Sequence, residues 1–385
     1  MLPQIARHFQ QLFSGSMLLV EAPGRINLIG EHTDYNNGWV MPAAIDKHIY
    51  FAMGKNDSPS TFEFHSLQFS EHAQFETNDD IERVQPWVRY LLAAVQELQK
   101  RGYTVKGTSG VLGGDIPVGA GLSSSAALCC GFIFGLSNLY ALDLSREEIA
   151  LIAQATEHRI GINCGLMDQY ASLFGKADHV TLLDCESLVP ENIPLALGDY
   201  ELYIINSKIK HELAADSGYN ERRASCERVV KAAKQLDPNI NSLRGVSIDT
   251  LEQLSDAISM KDFRRARYVL HENQRVLEAS KALRISNMDK LGSLLYAAHE
   301  GMRLEYQITV PQIDLLVNLA KANADEVLGA RMMGGGFGGC TINIIRKQVA
   351  RRTLGKITAA YQMETGLEAE VHKVKTGDGV RVVDL

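Results

Sequence analysis

Cysteine is scarce in this chain of 385 residues, and its few thiols form no recognisable pattern. No C-x-x-C pair occurs and no spacing matches a zinc site, which argues against a disulfide scaffold or a zinc module. A chain of this length also buries ordinary hydrophobic cores without covalent cross-links. We therefore expect buried, reduced thiols in a cytoplasmic protein. The six cysteines are Cys129, Cys130, Cys164, Cys185, Cys226 and Cys340.

An excess of basic residues is also absent. The chain has 39 Lys and Arg against 46 Asp and Glu, which gives a formal net charge of −7. Proteins that bind nucleic acid usually carry a basic excess or a basic stripe, so we expect no nucleic-acid partner. An anionic ligand must then be held by a local group of residues, because the overall charge does not attract it.

The amino-terminal segment lacks the features of a targeting signal. MLPQIARHFQQLF contains no long apolar stretch and no small-residue cleavage site. Its apolar residues fall at helical spacing, which predicts a short amphipathic helix. Internal repeats and low-complexity tracts are absent as well, so neither a solenoid nor a disordered chain is indicated.

Predicted strands and helices are interspersed along the chain, which indicates an α/β or α+β class. A Pro-containing loop near 190–199 predicts a boundary between two domains, 1–198 and 199–385. Ser145 and Glu148 form a capping-box pattern at the start of one helix. The predicted strands are 17–22 (ending at Pro23-Gly24), 48–53, 61–69, 200–207, 340–346 and 368–374. The predicted helices are 87–101, 145–160, 219–236, 247–257, 260–280 and 310–323.

A glycine- and serine-rich segment, GGDIPVGAGLSSSAA at residues 113–127, is the sharpest local feature. Its glycines allow close backbone approach to a ligand, and its serines precede an apolar stretch that is expected to be helical. A helix N-terminus suits phosphate, and serine hydroxyls can bind Mg²⁺. The alternative is a glycine turn before a core helix. The Walker pattern and the protein-kinase motifs are absent, so neither of those folds is indicated.

Charge is missing altogether from Ile116 to Leu142, a run of 27 residues. That length could span a bilayer. The run is better explained as the glycine-rich segment followed by a helix over 126–142 that is buried on most sides. Glycine and polar residues interrupt this helix and no Lys or Arg flanks it closely, so we expect no membrane span.

Residues 24–45 (GRINLIGEHTDYNNGWVMPAAI) concentrate hydrogen-bonding side chains around a glycine. A mixture of donors and acceptors suits the hydroxyl groups of a sugar, and arginine can place positive charge beside a transferring phosphoryl group. The alternative is a polar loop, which fits the turn at 36–38 better than the residues before it. The side chains in question are Arg25, Glu31, His32 and Asp34.

Two later segments carry further candidate residues. Asp168 lies among apolar neighbours after Cys164-Gly165, and it could be a general base, a helix cap or a paired structural acid. Residues 332–341 include five glycines in six positions. This density favours close backbone approach to a ligand, although a hinge would also suit.

The segments at 21–45, 113–128 and 332–341 together resemble the three sequence motifs of the GHMP small-molecule kinases. Residues 164–170 and 219–227 also resemble this family, so the likeness covers essentially the whole chain. The resemblance implies two domains, α/β plus α+β. The N-terminal domain would resemble the second domain of ribosomal protein S5, and the C-terminal domain would be a helix-covered sheet. The active site would lie in the cleft between them.

The sequence of residues 24–45 is most similar to the corresponding motif in the galactose-phosphorylating members of the family. The resemblance therefore implies transfer of the γ-phosphoryl group of ATP to O1 of α-D-galactose, with Mg²⁺ as cofactor. The alternatives are a kinase for another sugar, such as N-acetylgalactosamine or arabinose, and a non-catalytic galactose sensor. Because the serine-rich segment is complete and Arg25 and Asp168 are both present, the enzyme is favoured. A monomer or weak homodimer acting on small molecules is expected.

The resemblance also implies roles for individual residues. Arg25 and Asp168 would face the reacting hydroxyl, with Asp168 accepting its proton. The implied sugar contacts are Glu31, His32, Thr33, Asp34, Gly165 and Tyr219. The implied nucleotide contacts are Ser66, Gly119, Ala120, Gly121, Leu122, Ser123, Ser124 and Ser125.

Ser125 and Glu157 are the implied Mg²⁺ ligands, and here the chain departs from the family pattern. The glutamate usually lies twelve residues before the aspartate, whereas Glu157 lies eleven before Asp168 and Thr156 occupies the usual position. One interpretation is that the helix or loop absorbs a one-residue deletion and Glu157 still serves. The other is that the metal is held differently.

Overall fold

A computed structural model describes residues 1–117, 121–209 and 214–384 of the chain. Gly119 and Ala120, two of the expected nucleotide contacts, lie outside the described residues. The strands are β1 (Leu18–Asn27), β2 (Trp39–Val40), β3 (Pro42–Lys55), β4 (Thr61–Ser66), β5 (Glu71–Glu76), β6 (Thr108–Gly114), β7 (His179–Asp184), β8 (Val189–Pro194), β9 (Tyr200–Asn206), β10 (Val327–Met333), β11 (Cys340–Arg346), β12 (Glu370–Val374) and β13 (Arg381–Val382).

The helices are named in the same way, in chain order. They are α1 (Leu2–Leu12), α2 (Pro86–Lys100), α3 (Ser124–Tyr140), α4 (Arg146–Arg159), α5 (Met167–Phe174), α6 (Ala214–Ala233), α7 (Ile248–Gln253), α8 (Met260–Arg284), α9 (Met288–Gly301), α10 (Pro311–Lys321) and α11 (Ala350–Thr365). A π-helical turn at Met302–Tyr306 follows α9 directly.

The strands form three sheets. A six-stranded sheet has the order β13-β1-β3-β6-β4-β5, a four-stranded sheet has the order β10-β11-β9-β12, and a small sheet has the order β2-β7-β8. β4 and β6 pair in parallel, whereas the other paired strands are antiparallel. Helices α2, α3, α4 and α5 pack together beside the first sheet, and α6 packs against α8.

The uncharged helix α3 packs directly against β1 and β3. Its glycines allow this close packing, because a Cβ at Gly131 would lie 2.6 Å from the ring of Phe51, and one at Gly135 would lie 2.6 Å from the sulfur of Met53. Burial on most sides explains why the segment carries no charge. Within the described residues, no helix is long and apolar enough to cross a membrane.

The largest hydrophobic core runs through both halves of the chain, from Val20 in β1 to Val380, which directly precedes β13. The last strand, β13, returns to pair with β1 at the edge of the first sheet. The boundary between 198 and 199 falls in the connection between β8 and β9, and its position remains a prediction.

Two local predictions are wrong. β1 does not end at Pro23-Gly24 but continues to Asn27, because a register shift between Pro23 and Arg25 accommodates the proline as a bulge. Residues 189–194 are not a loop but strand β8, paired with β7. Prolines are tolerated in β8 because it is an edge strand, which leaves one side without ladder hydrogen bonds.

Candidate active site

A cavity of about 230 Å³ opens between four parts of the chain. Its walls come from the end of β1 with the loop after it, the segment from Gly161 to Asp168, the first half of α6 and the glycines after β10. Seven of the residues that the sequence analysis singled out line this cavity: Arg25, Glu31, His32, Asp34, Gly165, Asp168 and Tyr219. Segments far apart in the chain therefore converge on one concave site.

Arg25 and Asp168 form a two-pronged ion pair on the wall of the cavity. Nε donates to Oδ1 at 2.7 Å and a terminal nitrogen donates to Oδ2 at 2.9 Å. A further Arg25 nitrogen donates to the carbonyl of Gly121 at 2.6 Å. Burial tends to lower the pKa of the Arg25 guanidinium, but Asp168, Glu31 and Asp34 together raise it. The site thus holds a fixed positive charge that points a planar group of donors at one carboxylate.

The serine-rich segment reaches the same ion pair from the other side. Ser123 adopts φ 55°, and its hydroxyl donates a hydrogen bond to Oδ2 of Asp168. The carbonyl of Leu122 accepts a hydrogen bond from the backbone N–H of Arg25 at 3.0 Å. Helix α3 then begins at Ser124. Its N-terminus, with its unpaired N–H groups, therefore lies next to the cavity.

Asp34 contributes a second carboxylate to the cavity. Burial, followed by the nearby charge of Asp168, raises the pKa of Asp34 to about 7. Gly165 packs directly against it, since a Cβ built on Gly165 would overlap the Asp34 carboxylate. A glycine at this position is therefore required by the fit of the loop against the acid, and its backbone faces the cavity.

Glu31 is held by a buried arginine from the late part of the chain. Arg331 in β10 donates to Oε1 of Glu31 at 3.2 Å, and the N–H of Gly334 donates to the same oxygen at 2.8 Å. Arg331 also binds the carbonyls of Asn27 and Leu28. The late glycine-rich segment therefore fixes the position of an early carboxylate.

His32 and Tyr219 form the aromatic side of the cavity. The ring of His32 lies 5.1 Å from that of Tyr219, and burial lowers the pKa of His32 to about 3. Nε2 of the neutral ring donates to the carbonyl of Gly335 at 3.3 Å, so Nδ1 accepts from the hydroxyl of Tyr35 at 2.7 Å. Tyr35 in turn accepts from Tyr306, and this hydrogen-bonded chain orients the imidazole.

Thr33 and Ser66 are among the singled-out residues that do not line the cavity. Thr33 is buried and directs its hydroxyl to the backbone carbonyls of Gly30 and Trp39, which gives it a structural position. Ser66 ends β4 opposite Leu112 of β6 and borders a separate cavity of about 370 Å³. Neither the sugar role of Thr33 nor the nucleotide role of Ser66 gains support from the cavity, and both stay predictions.

Comparison with known proteins identifies the family. The galactokinase galactose-binding signature matches residues 7–55, the GHMP kinase N-terminal domain matches 89–176, and the GHMP kinase C-terminal domain matches 279–362. Galactokinase from Thermotoga petrophila is 36% identical over 365 residues, which cover 94% of this chain and 99% of that protein. The chain belongs to the galactokinase family.

Further relatives agree with that assignment. Galactokinase from Glaesserella parasuis is 38% identical over 384 residues, which cover 97% of each protein. The crystal structure of Lactococcus lactis galactokinase complexed with galactose matches with a TM-score of 0.92 at 33% identity and covers 98% of each chain. The expected GHMP-kinase fold, α/β plus α+β, is thereby confirmed.

In this galactokinase-family chain, the side chain that contacts Ser125 is that of Glu157 and not that of Thr156. Glu157 lies in the last turn of α4, and its carboxylate accepts hydrogen bonds from the hydroxyl of Ser125 and the amide of Gln169. Burial raises the pKa of Glu157 to about 7. Thr156 instead donates its hydroxyl to the carbonyl of Ile152 at 2.8 Å. This geometry agrees with the interpretation in which a one-residue deletion is absorbed and Glu157 remains beside the serine.

Other lining residues of this galactokinase-family site escaped the sequence analysis. Asn163 and Asn220 add amide groups to the wall. Asn163 lies just before the segment 164–170 and Asn220 lies within 219–227, but the sequence assigned neither of them a role. Cys164 also lines the cavity and is half-buried, so the expectation that all six thiols are buried is wrong at this position. It is exposed in part because the loop that carries it forms the cavity wall.

Proposed function

We propose that this chain transfers the γ-phosphoryl group of ATP to the O1 hydroxyl of α-D-galactose, giving galactose 1-phosphate and ADP. The observation that carries the proposal is the ion pair of Arg25 and Asp168 on the wall of a cavity rimmed by polar side chains. A positioned carboxylate beside a fixed guanidinium is what transfer to a hydroxyl requires, in a chain of the galactokinase family.

The sugar would occupy the cavity between Asp34, Glu31 and His32. The two carboxylates accept hydrogen bonds from sugar hydroxyls, and the neutral imidazole adds a polar edge beside the ring of Tyr219. The backbone of Gly165 completes the wall where no side chain fits. These contacts hold the sugar with one hydroxyl toward Asp168.

Asp168 would accept the proton of that hydroxyl. In the described residues, Asp168 accepts three hydrogen bonds, two from Arg25 and one from Ser123. A carboxylate offers about four acceptor positions, so one remains for the sugar. The O1–phosphorus bond forms as the bond from the γ-phosphorus to the bridging oxygen breaks, and ADP leaves with that oxygen. Arg25 stabilises the charge on the transferring group.

The nucleotide would lie along Gly121 to Ser125, where α3 begins without a side-chain cap and its first N–H groups have no partners within the helix. Ser125 and Glu157 fit a Mg²⁺ site, because this buried carboxylate, whose pKa is raised, sits against a serine hydroxyl and has no cationic partner among the described residues. When bound there, Mg²⁺ would neutralise phosphate charge. The chain's own contribution is to hold these two oxygen ligands together.

A sugar panel tests the proposal. ADP release is measured with Mg²⁺–ATP and galactose, N-acetylgalactosamine, arabinose or glucose, and galactose is expected to give the highest kcat/KM. Highest activity with N-acetylgalactosamine or arabinose would instead indicate a kinase for that sugar. Binding of galactose by calorimetry without any ADP release would indicate a sensor and contradict the proposed transfer.

A further inference from the structure

A group of potential metal ligands lies outside the active-site cavity, on the hairpin formed by β4 and β5. It consists of Glu63, His65 and His72. Across residues 1–117, 121–209 and 214–384, this is the one group of at least three such side chains whose ligand atoms lie close enough to share an ion. The catalytic site described above uses none of the three.

Strand register brings these side chains together. His65 of β4 lies directly opposite His72 of β5 in the antiparallel pair. Glu63 precedes His65 by two residues and therefore projects from the same face of the sheet. Phe62 and Phe64 occupy the alternate positions and are fully buried, which fixes the ligand face outward. The arrangement is thus set by the same alternation that builds the core.

The ligand atoms already have nearly the spacing of a metal site. An oxygen of Glu63 lies 3.3 Å from Nε2 of His72 and 3.7 Å from Nε2 of His65. Ligands about 2.0–2.1 Å from a tetrahedral Zn²⁺ stand about 3.3 Å from one another. The rings of His65 and His72 have centroids 4.4 Å apart, so both nitrogens can face one point.

The exposure and the donor atoms of this group also suit a metal. The side chains remain 25% to 49% exposed, which leaves a path for an ion to enter and a coordination position for water. Two imidazoles and one carboxylate favour Zn²⁺, Ni²⁺ or Cu²⁺ over Mg²⁺.

We propose that Glu63, His65 and His72 bind one transition-metal cation of the Zn²⁺ class, with water as the remaining ligand. The ion would join the edge strand β5 to β4 and so stabilise the hairpin at the border of the first sheet. This site is separate from the proposed Mg²⁺ position at Ser125 and Glu157. The proposal of this metal site therefore does not depend on the proposed phosphoryl transfer.

The test is a titration of the full chain with Zn²⁺, monitored by calorimetry. The chain carries no added histidine tag, and neither Mg²⁺ nor nucleotide is present. The double variant His65→Ala/His72→Ala is expected to bind one equivalent fewer than the parent chain. Glu63→Gln is expected to weaken that binding at least about tenfold, since loss of a supporting partner alone weakens metal sites this much. Zn²⁺ should raise the melting temperature of the parent chain but not of the double variant.

Two control variants guard against adventitious binding. Gln74→Ala changes the exposed residue opposite Glu63, and His8→Ala removes another histidine that lines the same cavity as His65 and His72. Both should bind Zn²⁺ like the parent. Co²⁺ absorption separates this site from one that uses the thiol of Cys164, because a histidine–carboxylate site gives no thiolate band. An unchanged stoichiometry in the double variant, or an equal loss in His8→Ala, would overturn the proposal.

Discussion

Arg25 is only 5% exposed, yet it keeps its charge because carboxylates surround it. Its side chain makes hydrogen bonds to both oxygens of Asp168 and to the carbonyl of Gly121. A buried cation that is paired in this way does not have to reorganise when negative charge develops beside it. The residue is therefore structurally fixed before any substrate arrives.

Asp168→Asn tests whether Asp168 is the general base. The variant keeps the shape of the side chain but replaces one acceptor oxygen by an amide that cannot take a proton. We expect kcat to fall at least about 10²-fold, while galactose binding changes much less. ADP release gives kcat, and calorimetry without nucleotide gives the Kd for galactose. The exposed residue Asp57, changed to Asn, is the control, and a near-normal kcat for Asp168→Asn would remove Asp168 from the base role.

The raised pKa of Asp34 makes stability depend on pH. Its ordinary value is 3.8 and its folded value is about 7. Between these values the folded state binds the proton that the unfolded chain has lost, so this group makes the protein less stable as pH rises. Relative to the parent, Asp34→Asn should gain stability from about pH 4 to about pH 7, on the order of a few kcal/mol, and level off above.

Denaturant unfolding of the sugar-free protein at several pH values measures that difference. Glu157 and His32 also titrate with shifted pKa values, but both are present in the two chains and cancel in the comparison. A stability difference that stays constant with pH would show that Asp34 is ionised in the folded protein over the whole range.

Glu157→Gln tests the proposed Mg²⁺ ligand. Removing the charge beside Ser125 should raise the Mg²⁺ concentration needed for half-maximal rate at least about tenfold. Thr156→Val is the matched control, because that hydroxyl only binds the carbonyl of Ile152. Rates of ADP release against Mg²⁺ concentration, with Mg²⁺-dependent nucleotide binding as a second readout, distinguish the two. A larger effect in Thr156→Val would assign the ligand to the other residue.

At the scale of elements, β1 and α3 assemble the site together. The register shift between Pro23 and Arg25 interrupts the pairing of β1 with β3. The freed N–H of Arg25 then binds Leu122, just before α3. A Cβ at Gly24 would lie 2.8 Å from the Leu122 carbonyl, so glycine is needed for this approach. The bulge thus joins two motifs that lie about a hundred residues apart.

The capping box of α4 stabilises the helix that carries Glu157. The Ser145 hydroxyl accepts from the N–H of Glu148, whose side chain accepts from the N–H of Ser145. Ser145→Ala should lower the free energy of unfolding by about 1 kcal/mol. Ser187 is an exposed serine whose hydroxyl has no partner in the described structure. Ser187→Ala is therefore the control and should change the free energy of unfolding by less than about 0.5 kcal/mol. Equal losses in denaturant unfolding would show that the cap contributes nothing.

At the scale of the whole molecule, the buried pair of Arg331 and Glu31 connects the late sheet to the early loop. Arg331 is 0% exposed and Glu31 is 2% exposed. Water cannot replace either partner, so the two halves of the chain depend on each other at this point.

Arg331→Met should therefore destabilise the protein by about 3–5 kcal/mol, because it leaves the Glu31 carboxylate buried and unpaired. The double variant Arg331→Met/Glu31→Gln should recover part of that loss in denaturant unfolding. Arg303→Met breaks an exposed pair with Glu300 and should lose less than about 1 kcal/mol. A double variant no more stable than Arg331→Met would mean that the arginine acts through its backbone hydrogen bonds instead.

Local patterns determined much of this protein from the sequence. The helix at 87–101 and the strands at 200–207 and 340–346 were predicted close to their observed bounds, because their periodicity depends on neighbouring residues alone. The motifs around Arg25 and Asp168 were also recognisable, since each is a short continuous segment. Elements that were not predicted lie in both halves of the chain, and they are β2, β5, β6, α5, β7, β8, α9, β10, α11 and β13.

Only the tertiary structure decided how distant segments meet. Arg25 and Asp168 lie 143 residues apart, and no local pattern specifies that they form a two-pronged pair. The choice between Thr156 and Glu157 is similar, because adjacent helical residues point about 100° apart and only the packing of α4 shows which one faces Ser125. His65 and His72 likewise become neighbours only once β4 and β5 are paired. Secondary-structure propensity depends on residues that are neighbours in the sequence, whereas the site is formed by residues that are distant in the sequence and meet only in the folded chain.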